Sequence, residues 1–224
     1  MKWLRLVVKG MGIVVWRLCH HGGAVTFTWA WTRLYLWTVR RPVWRYCAIT
    51  ADLCVGGQIN AAGWRWLAAR GITAVVNMRN EFDDAAHGID PDAYIWLPTP
   101  DDHAPTMQQL RTGVGFISQV IQQGGKVYVH CASGVGRAPT MAAAYLVSTG
   151  MRVEEAIALI RQVRPFVKLT EPQLEILEQF TAEVEHLDED DMPANQPLGL
   201  GQGMATLDSE DSGLTADSLT PPGQ

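Results

Sequence analysis

The chain has 224 residues, of which 47% are hydrophobic, and a formal net charge of −5. This length is typical of one domain with extensions, and the apolar fraction is sufficient for a hydrophobic core in a segment of about 130–150 residues. The four cysteines (Cys19, Cys47, Cys54 and Cys131) include no CxxC pair. This argues against a structural zinc site and a disulfide framework, and it favours a reducing compartment.

Charge divides the chain into three parts. Residues 1–45 contain eight Lys/Arg and no Asp/Glu, residues 46–168 contain ten of each sign, and residues 169–224 contain thirteen Asp/Glu and no Lys/Arg. Such blocks indicate segments with different surroundings. We expect a basic N-terminal segment at 1–45, a folded domain at 46–186 and an acidic tail at 187–224. The tail is predicted to be disordered because it has too few large apolar residues to offset its ordering entropy.

The N-terminal segment is apolar as well as basic, and it holds six of the nine tryptophans. Residues 1–21 follow the pattern of a basic amphipathic helix, and residues 24–39 form a second apolar stretch that Arg33 interrupts. We favour a segment that lies on an anionic membrane surface. Helices that cover one face of the core are the first alternative, and a membrane span is the second. Lys9 and Arg17 argue against a secretory signal.

The middle of the chain alternates strand and helix patterns. Strands are predicted at 53–57, 72–78, 94–97 and 126–130, and helices at 60–70, 107–123, 137–149, 153–163 and 171–186. Thr106 is placed to cap the helix that begins at 107, and Gly124 and Gly125 are placed to end it. The alternation predicts an α/β fold with a central, mostly parallel sheet flanked by helices.

A glycine-rich loop joins the strand at 126–130 to the helix at 137–149, and it begins with His130 and Cys131. Backbone N–H groups in such a loop converge on one point, and the positive end of the following helix adds to them. The same field favours the thiolate form of Cys131, which makes that cysteine a candidate nucleophile. Five residues separate Cys131 from Arg137, so the guanidinium can fold back over a bound phosphoryl group and stabilise its transition state.

The sequence of this loop therefore predicts a phosphate-binding catalytic site. Cys131 and Arg137 are the predicted catalytic residues, and the remaining residues of the loop are predicted to bind the substrate phosphate: His130, Ala132, Ser133, Gly134, Val135 and Gly136. A leaving alkoxide needs a proton, and the proline-rich stretch 97–105 supplies two carboxyl groups. Asp101 is favoured as the general acid, with Asp102 as the alternative. We expect no metal and no other cofactor.

Residues 46–183 resemble the cysteine-dependent dual-specificity phosphatases of the protein tyrosine phosphatase superfamily. The resemblance rests on the segments 52–57 and 71–79, the acid loop at Asp101, the His-Cys-x5-Arg loop, and Arg164-Pro165 before the last helix. It implies a phosphatase fold of the dual-specificity type, a phosphocysteine intermediate and no metal. It also implies the roles of Cys131, Arg137 and Asp101 given above, and it makes His130 the histidine that assists ionisation of the thiol.

Within that family the chain is most similar to the phosphatidylglycerophosphate phosphatase branch, which has an apolar aromatic N-terminal segment followed by a sequence like Trp44-Arg45-Tyr46. The chain departs from the family at Ala138, where Ser or Thr usually assists hydrolysis of the intermediate. Thr140 or Ser133 would have to replace that hydroxyl. The Arg-Ala-Pro sequence at Ala138 is similar to that of plant glucan phosphatases.

The expected function is hydrolysis of phosphate monoesters, first of all as a dual-specificity protein phosphatase. Three alternatives remain open: a phospholipid phosphatase, a glucan phosphatase, and a pseudophosphatase that binds phosphorylated ligands without turning them over. The expected partners are a phosphorylated protein or phospholipid and an anionic membrane surface contacted by residues 1–45, with no nucleic acid. The expected location is cytoplasmic, at the cytoplasmic face of a membrane.

Overall fold

A computed structural model describes residues 2–190 of the chain. Its helices are α1 (Lys2–Val39), α2 (Ala61–Ala68), α3 (Met107–Gln122), α4 (Arg137–Ser148), α5 (Val153–Val163) and α6 (Glu171–Asp190), and its strands are β1 (Leu53–Gly56), β2 (Ala74–Arg79), β3 (Ala93–Thr99) and β4 (Val127–His130). Short 3-10 turns occupy Trp44–Tyr46 and Ala85–His87. The strands and helices predicted between residues 53 and 163 are confirmed, with bounds shifted by no more than two residues.

The four strands form one sheet in the order β1-β4-β2-β3, and every neighbouring pair is parallel. The predicted α/β fold with a parallel sheet is therefore confirmed. In a parallel sheet the carboxyl ends of all strands lie at one edge. Gly56, Arg79 and His130, which end β1, β2 and β4, are brought to that edge from distant parts of the chain. The loop that begins at Cys131 leaves the sheet at the same edge.

Alternating side chains of the strands build two apolar clusters, one on each face of the sheet. Val127 and Val129 belong to the larger cluster, whereas Tyr128 between them belongs to the smaller one. The larger cluster lies under α3, α4, α5 and α6, and α4 packs directly against β1, β2 and β4. Three consecutive alanines, at 142–144, are fully buried on α4. Their small side chains allow this helix to approach the sheet closely, which places its N-terminus at the carboxyl edge.

α1 is broken at Gly22, where φ is 77° and ψ is 168°, so the segment consists of two helical halves. The second half ends against the domain, since the Leu36 side chain packs on Gly57 and the carbonyl oxygen of Arg40 lies against Gly63. A Cβ atom at Gly63 would lie 2.1 Å from that oxygen, so only glycine fits there. Among the described residues, no helix has the length and hydrophobicity that are needed to cross a bilayer.

α6 continues to Asp190 and is four residues longer than predicted. Residues 187–190, which we expected to begin the disordered tail, are helical because no Gly or Pro interrupts the chain before Pro193. The rest of the predicted tail, residues 191–224, lies outside the described residues.

Candidate active site

The loop after β4 places the sulfur of Cys131 at the N-terminus of α4. Cys131 is 2% exposed, and its Sγ accepts a hydrogen bond of 3.2 Å from the backbone N–H of Gly134. Gly136 is the N-cap residue of α4, so the unpaired N–H groups of the first helical turn follow directly. Both features favour binding of a negatively charged group beside the sulfur.

The conformation of the loop depends on Gly134. Its φ angle is +66°, a region that residues with a side chain rarely adopt. A Cβ atom there would lie 2.4 Å from the Gly56 carbonyl oxygen and 2.5 Å from Nη2 of Arg164. The position therefore requires glycine for two independent reasons, backbone conformation and space.

The Arg137 guanidinium is almost fully buried and joins the loop to two other segments. Nη1 donates to the Thr99 carbonyl oxygen at 2.8 Å and to Glu81 Oε2 at 3.1 Å, and Nη2 lies 2.7 Å from Oδ1 of Asp101. Among the described residues, no acceptor bonds the buried Nε–H. One donor is thus left for an oxygen atom of a bound phosphate.

The charges of this network reinforce one another. Burial lowers the pKa of Arg137, but the hydrogen bond to Glu81 and the negative groups at Cys131 and Asp101 raise it above its ordinary value. Burial raises the pKa of Glu81, but hydrogen bonds from Arg137 and Arg79 outweigh burial and lower this pKa to about 2. Glu81 is therefore ionised at neutral pH and holds Arg137 at the loop. Sequence reasoning missed Glu81, which follows a strand without any motif of its own.

The acid loop is held over the site by the start of α6. The hydroxyl of Thr170 donates to the Asp102 carbonyl oxygen at 3.3 Å, and Nε2 of Gln173 donates to the His103 carbonyl oxygen at 2.9 Å. Asp102 has a φ of 62°, a left-handed conformation that Asp tolerates better than most residues. This turn aims the carboxylate of Asp101 at Arg137, while the backbone of Asp102 serves as the anchor.

A cleft of about 250 Å³ brings most of the predicted residues together. Cys131, Ser133, Val135, Gly136, Arg137, Asp101 and Asp102 line it, together with Lys168, Thr170 and Gln173 and with Trp29 and Arg33 of α1. Ala132 lines a neighbouring groove instead. In the described part of the chain, no group of three or more His, Cys, Asp and Glu side chains is arranged to hold a metal ion.

His130 lies behind the loop and not in the cleft. Its side chain is fully buried, its ring stacks on Tyr128, and its Nε2 lies 2.6 Å from Oδ2 of the equally buried Asp84. The other oxygen of Asp84 accepts a hydrogen bond of 2.7 Å from Gln58. Any effect of His130 on substrate would thus be indirect, through Cys131. Asp84 was not predicted, because the sequence Asp83-Asp84 after a strand looks like a solvated turn.

Comparison with known proteins shows which family the chain belongs to. The family model described as "Dual specificity phosphatase, catalytic domain" matches residues 53–183, which is more than half of the chain. The chain belongs to the dual-specificity phosphatase family. Dual specificity protein phosphatase 5 of Rattus norvegicus is 36% identical over 121 residues, covering 51% of this chain and 30% of that protein.

A second relative is named for a further activity. The protein named "Phosphatidylglycerophosphatase and protein-tyrosine phosphatase 1" of Rattus norvegicus is 41% identical over 81 residues, covering 36% of this chain and 42% of the relative. The chain thus spans less than half of the length of both relatives. Among solved structures, PTPMT1 in complex with PI(5)P has a TM-score of 0.57 and 27% identity, covering 62% of this chain and 96% of that one. Human DUSP28 shares the fold, with a TM-score of 0.57 and 19% identity. The match covers 63% of this chain and 99% of that one.

Arg164 is a further residue that shapes the phosphatase loop. Its buried guanidinium donates to the carbonyl oxygens of Gly134 at 2.9 Å and of Val55 at 2.9 Å, and also to that of Tyr46. Burial lowers the pKa of Arg164. The sequence signal for this clamp was Arg164-Pro165 in the family resemblance, but nothing in the spacing indicated which atoms the arginine would bind.

Thr140 and Ser133, the two residues that could supply the hydroxyl missing at Ala138, have different surroundings. The Thr140 hydroxyl is buried and donates to the Gly136 carbonyl oxygen of its own helix at 3.0 Å. Ser133 lines the cleft that contains Cys131. Of these two hydroxyl-bearing residues, Ser133 is therefore the one that lies at the cleft.

Proposed function

We propose that this chain hydrolyses phosphate monoesters through a phosphocysteine intermediate, with Cys131 as nucleophile, Arg137 as phosphate ligand and Asp101 as general acid. The observation that carries the proposal is the meeting of three groups in one cleft: a sulfur that accepts a loop N–H, a guanidinium with a free Nε–H, and a carboxylate 2.7 Å from that guanidinium. The sulfur and the guanidinium come from one loop, and the carboxylate comes from a segment about 30 residues earlier in the chain.

The reaction has two steps. The Cys131 thiolate attacks phosphorus, the bond from phosphorus to the ester oxygen breaks, and Asp101 gives that oxygen a proton. Water then attacks the phosphocysteine, the Asp101 carboxylate takes its proton, and the sulfur–phosphorus bond breaks. Arg137 and the loop N–H groups stabilise the equatorial oxygens in both transition states. Ser133 is the residue that we assign to assist the departing thiolate.

The first test is phosphate release from p-nitrophenyl phosphate under reducing conditions. We expect Cys131→Ser to abolish release, and we expect Asp101→Asn to lower kcat about 100-fold or more, since general acid catalysis contributes about 10²–10⁴-fold. Asp102→Asn is the matched control, because it makes the same change one position away and keeps the left-handed turn. An equal loss in both Asp variants would contradict the assignment of Asp101.

Our first candidate substrate is a phosphorylated protein, in line with the names of both relatives. A glucan phosphatase remains a weaker alternative, carried only by the Arg-Ala-Pro sequence after Gly136. A pseudophosphatase would differ by accumulating stable phosphocysteine, which mass spectrometry of the intact protein detects. Rapid turnover of p-nitrophenyl phosphate would exclude the pseudophosphatase.

The second candidate substrate is a phospholipid, which the outer face of α1 favours. Phe27, Trp31 and Leu34 follow the i, i+4, i+7 spacing of one helix face and are 70%, 52% and 52% exposed. Residues 1–45 contain eight Lys/Arg and no Asp/Glu, so this face suits an anionic membrane surface. We propose that α1 rests on such a surface.

Sedimentation with vesicles tests the membrane proposal. We expect Phe27→Ser combined with Trp31→Ser to reduce binding of the full chain to vesicles of anionic lipid by about tenfold or more, because each substitution removes a large apolar group from the interface. Trp96→Ser removes an exposed tryptophan from β3 and serves as control. Equal losses in the α1 and β3 variants would count against α1 as the binding face.

A further inference from the structure

The amide side chain of Gln58, two residues after the end of β1, lies between two polar groups of opposite hydrogen-bonding character. Its Nε2 donates to Oδ1 of the buried Asp84 at 2.7 Å, and its Oε1 accepts from Nη1 of Arg79 at 3.0 Å. A carboxylate only accepts hydrogen bonds, and a guanidinium only donates them. A primary amide satisfies both neighbours at once, because it carries a donor and an acceptor in one planar group.

On the side of Asp84, Gln58 is connected to the start of the phosphate loop. The second carboxylate oxygen of Asp84 lies 2.6 Å from Nε2 of His130, which directly precedes Cys131. Both side chains of this pair are fully buried, so each depends on protein partners for its hydrogen bonds. The backbone N–H of Gln58 also donates to the carbonyl oxygen of Ala132 at 3.3 Å. Gln58 thus holds the chain both before and after Cys131.

On the side of Arg79, Gln58 is connected to the end of the same loop. Nε of Arg79 lies 2.8 Å from Oε1 of Glu81, and Oε2 of Glu81 accepts a hydrogen bond of 3.1 Å from Arg137. Gln58 therefore closes a ring of side chains that joins the two ends of the loop from outside. Gln58 itself lines the groove beside α1 and is not among the described residues of the catalytic cleft. It acts on the site through these contacts.

We propose that Gln58 is a positioning residue, which holds Cys131 and Arg137 in the relative position that the reaction requires. The inference rests on the proposed phosphatase function and deepens it. In the transition state the sulfur is bonded to phosphorus while the guanidinium stabilises the equatorial oxygens, so both ends of the loop must be placed together. Loss of the Gln58 contacts leaves the phosphate-binding N–H groups present but frees the two ends from each other. We therefore expect kcat to change more than KM.

The first test is a double-mutant cycle, measured in the full-length protein with p-nitrophenyl phosphate. Gln58→Met keeps the length of the side chain and removes both of its bonds, and we expect it to lower kcat about tenfold or more with little change in KM. In a Glu81→Gln background, where the link to Arg137 is already weakened, the same substitution should cost less than about threefold. Gln162→Met is the matched control, because Gln162 is exposed on α5, and it should change neither constant.

The second test uses Gln58→Glu, which keeps the acceptor for Arg79 but places a carboxylate against Asp84. A proton shared between the two carboxyl groups restores the missing donor, so kcat relative to the wild type should recover as the pH falls from about 8 to about 5. Arg33 and Arg40, which line the same groove, keep their charge over this range.

Gln58→Met controls for the other titrating groups of the ring. His130, Asp84 and Glu81 are present in both variants, so their titration affects both, whereas only Gln58→Glu can regain a donor. We expect no recovery of relative kcat in Gln58→Met at low pH.

Three results would overturn the role of Gln58. The first is an equal loss from Gln58→Met with and without Glu81→Gln, and the second is a relative kcat of Gln58→Glu that does not change with pH. The third is a loss of activity that only parallels a loss of folded protein in urea unfolding, which would make Gln58 a residue of stability alone. If the wild-type chain released no phosphate, the proposed function itself would fail, before any variant was compared.

Discussion

At the scale of single residues, Arg164 joins three separate backbone segments around the active site, although it has no predicted role in the reaction. Its donors reach the chain before β1 at Tyr46, the sheet at Val55 and the phosphate loop at Gly134. All three acceptors are backbone carbonyl oxygens, and the guanidinium is buried. The planar fork of arginine satisfies several acceptors at once, which lysine cannot do.

We expect Arg164→Met to lower the free energy of unfolding by about 2–4 kcal/mol, because buried carbonyl groups lose their donors while packing volume is largely kept. Urea unfolding followed by circular dichroism measures this change. Arg161→Met is the control, since Arg161 is exposed on α5. A loss of similar size in both variants would show that the clamp is energetically unimportant.

A comparison of Gly134 with Gly124 separates two effects of adding a side chain: the cost of a positive φ angle and the cost of a steric clash. Gly134→Ala combines a positive φ angle with a Cβ atom 2.4 Å from the Gly56 carbonyl oxygen, whereas a Cβ atom at Gly124, where φ is +81°, would meet nothing within 4 Å. We expect Gly124→Ala to cost about 1 kcal/mol or somewhat more. Gly134→Ala should cost more and should abolish phosphate release, because the loop must move away from Cys131.

Unfolding and phosphate-release measurements on the two glycine variants decide this point. An active Gly134→Ala enzyme would show that the loop tolerates displacement, contrary to the crowding around that residue.

At the scale of elements, the start of α3 is coupled to the acid loop. Thr106 and Gln109 form a capping box, and Nε2 of Gln109 also donates to the Pro98 carbonyl oxygen at 2.9 Å. The cap was predicted at Thr106 from sequence, but the bond to Pro98 was not. The side chain of Gln109 thus caps the start of α3 and also holds the strand that leads to Asp101.

We expect Gln109→Ala to reduce the free energy of unfolding by about 1 kcal/mol relative to Gln108→Ala, since both gain the same helix propensity and only one removes the cap. We also expect kcat for p-nitrophenyl phosphate to fall more in Gln109→Ala, because the acid loop loses an anchor. Thermal unfolding and steady-state kinetics of the pair measure both effects. Indistinguishable variants would contradict the coupling.

At the scale of the whole molecule, the Glu81 network links β2, the acid loop and α4 through charge. The pKa of Glu81 is about 2 in the folded protein against an ordinary value of 4.5. Folding therefore favours the ionised carboxylate. The stabilisation is fully present above about pH 4.5, and it is lost as the pH falls from there toward 2.

We expect Glu81→Gln to be less stable than the wild type at neutral pH, with a difference that shrinks between about pH 4.5 and 2. Denaturant unfolding at a series of pH values follows this difference. Glu175→Gln, an exposed change on α6, should show no such convergence. A difference for Glu81→Gln that is independent of pH would mean that the carboxylate charge does not stabilise the fold.

Local sequence patterns determined most of the secondary structure and the chemistry of the phosphate loop. The spacing of apolar residues and the positions of glycines are patterns that extend over only a few residues. Strands such as β4 and helices such as α5 were therefore predicted within two residues of their bounds. The run from Cys131 to Arg137 is contiguous, and its residue types alone indicate a thiolate beside a phosphate cradle. The break in α1 follows from the glycine pair that includes Gly22 for the same local reason.

Only the tertiary structure decided which distant side chains meet that loop. Glu81 and Asp84 become neighbours of Arg137 and His130 because β2 and β4 are adjacent parallel strands whose ends share one edge. Arg33 reaches the cleft because α1 packs against the end of β1, a contact that no local pattern specifies. Interactions between residues far apart in sequence depend on strand order and helix packing, so they could not be predicted from the periodicity of one segment.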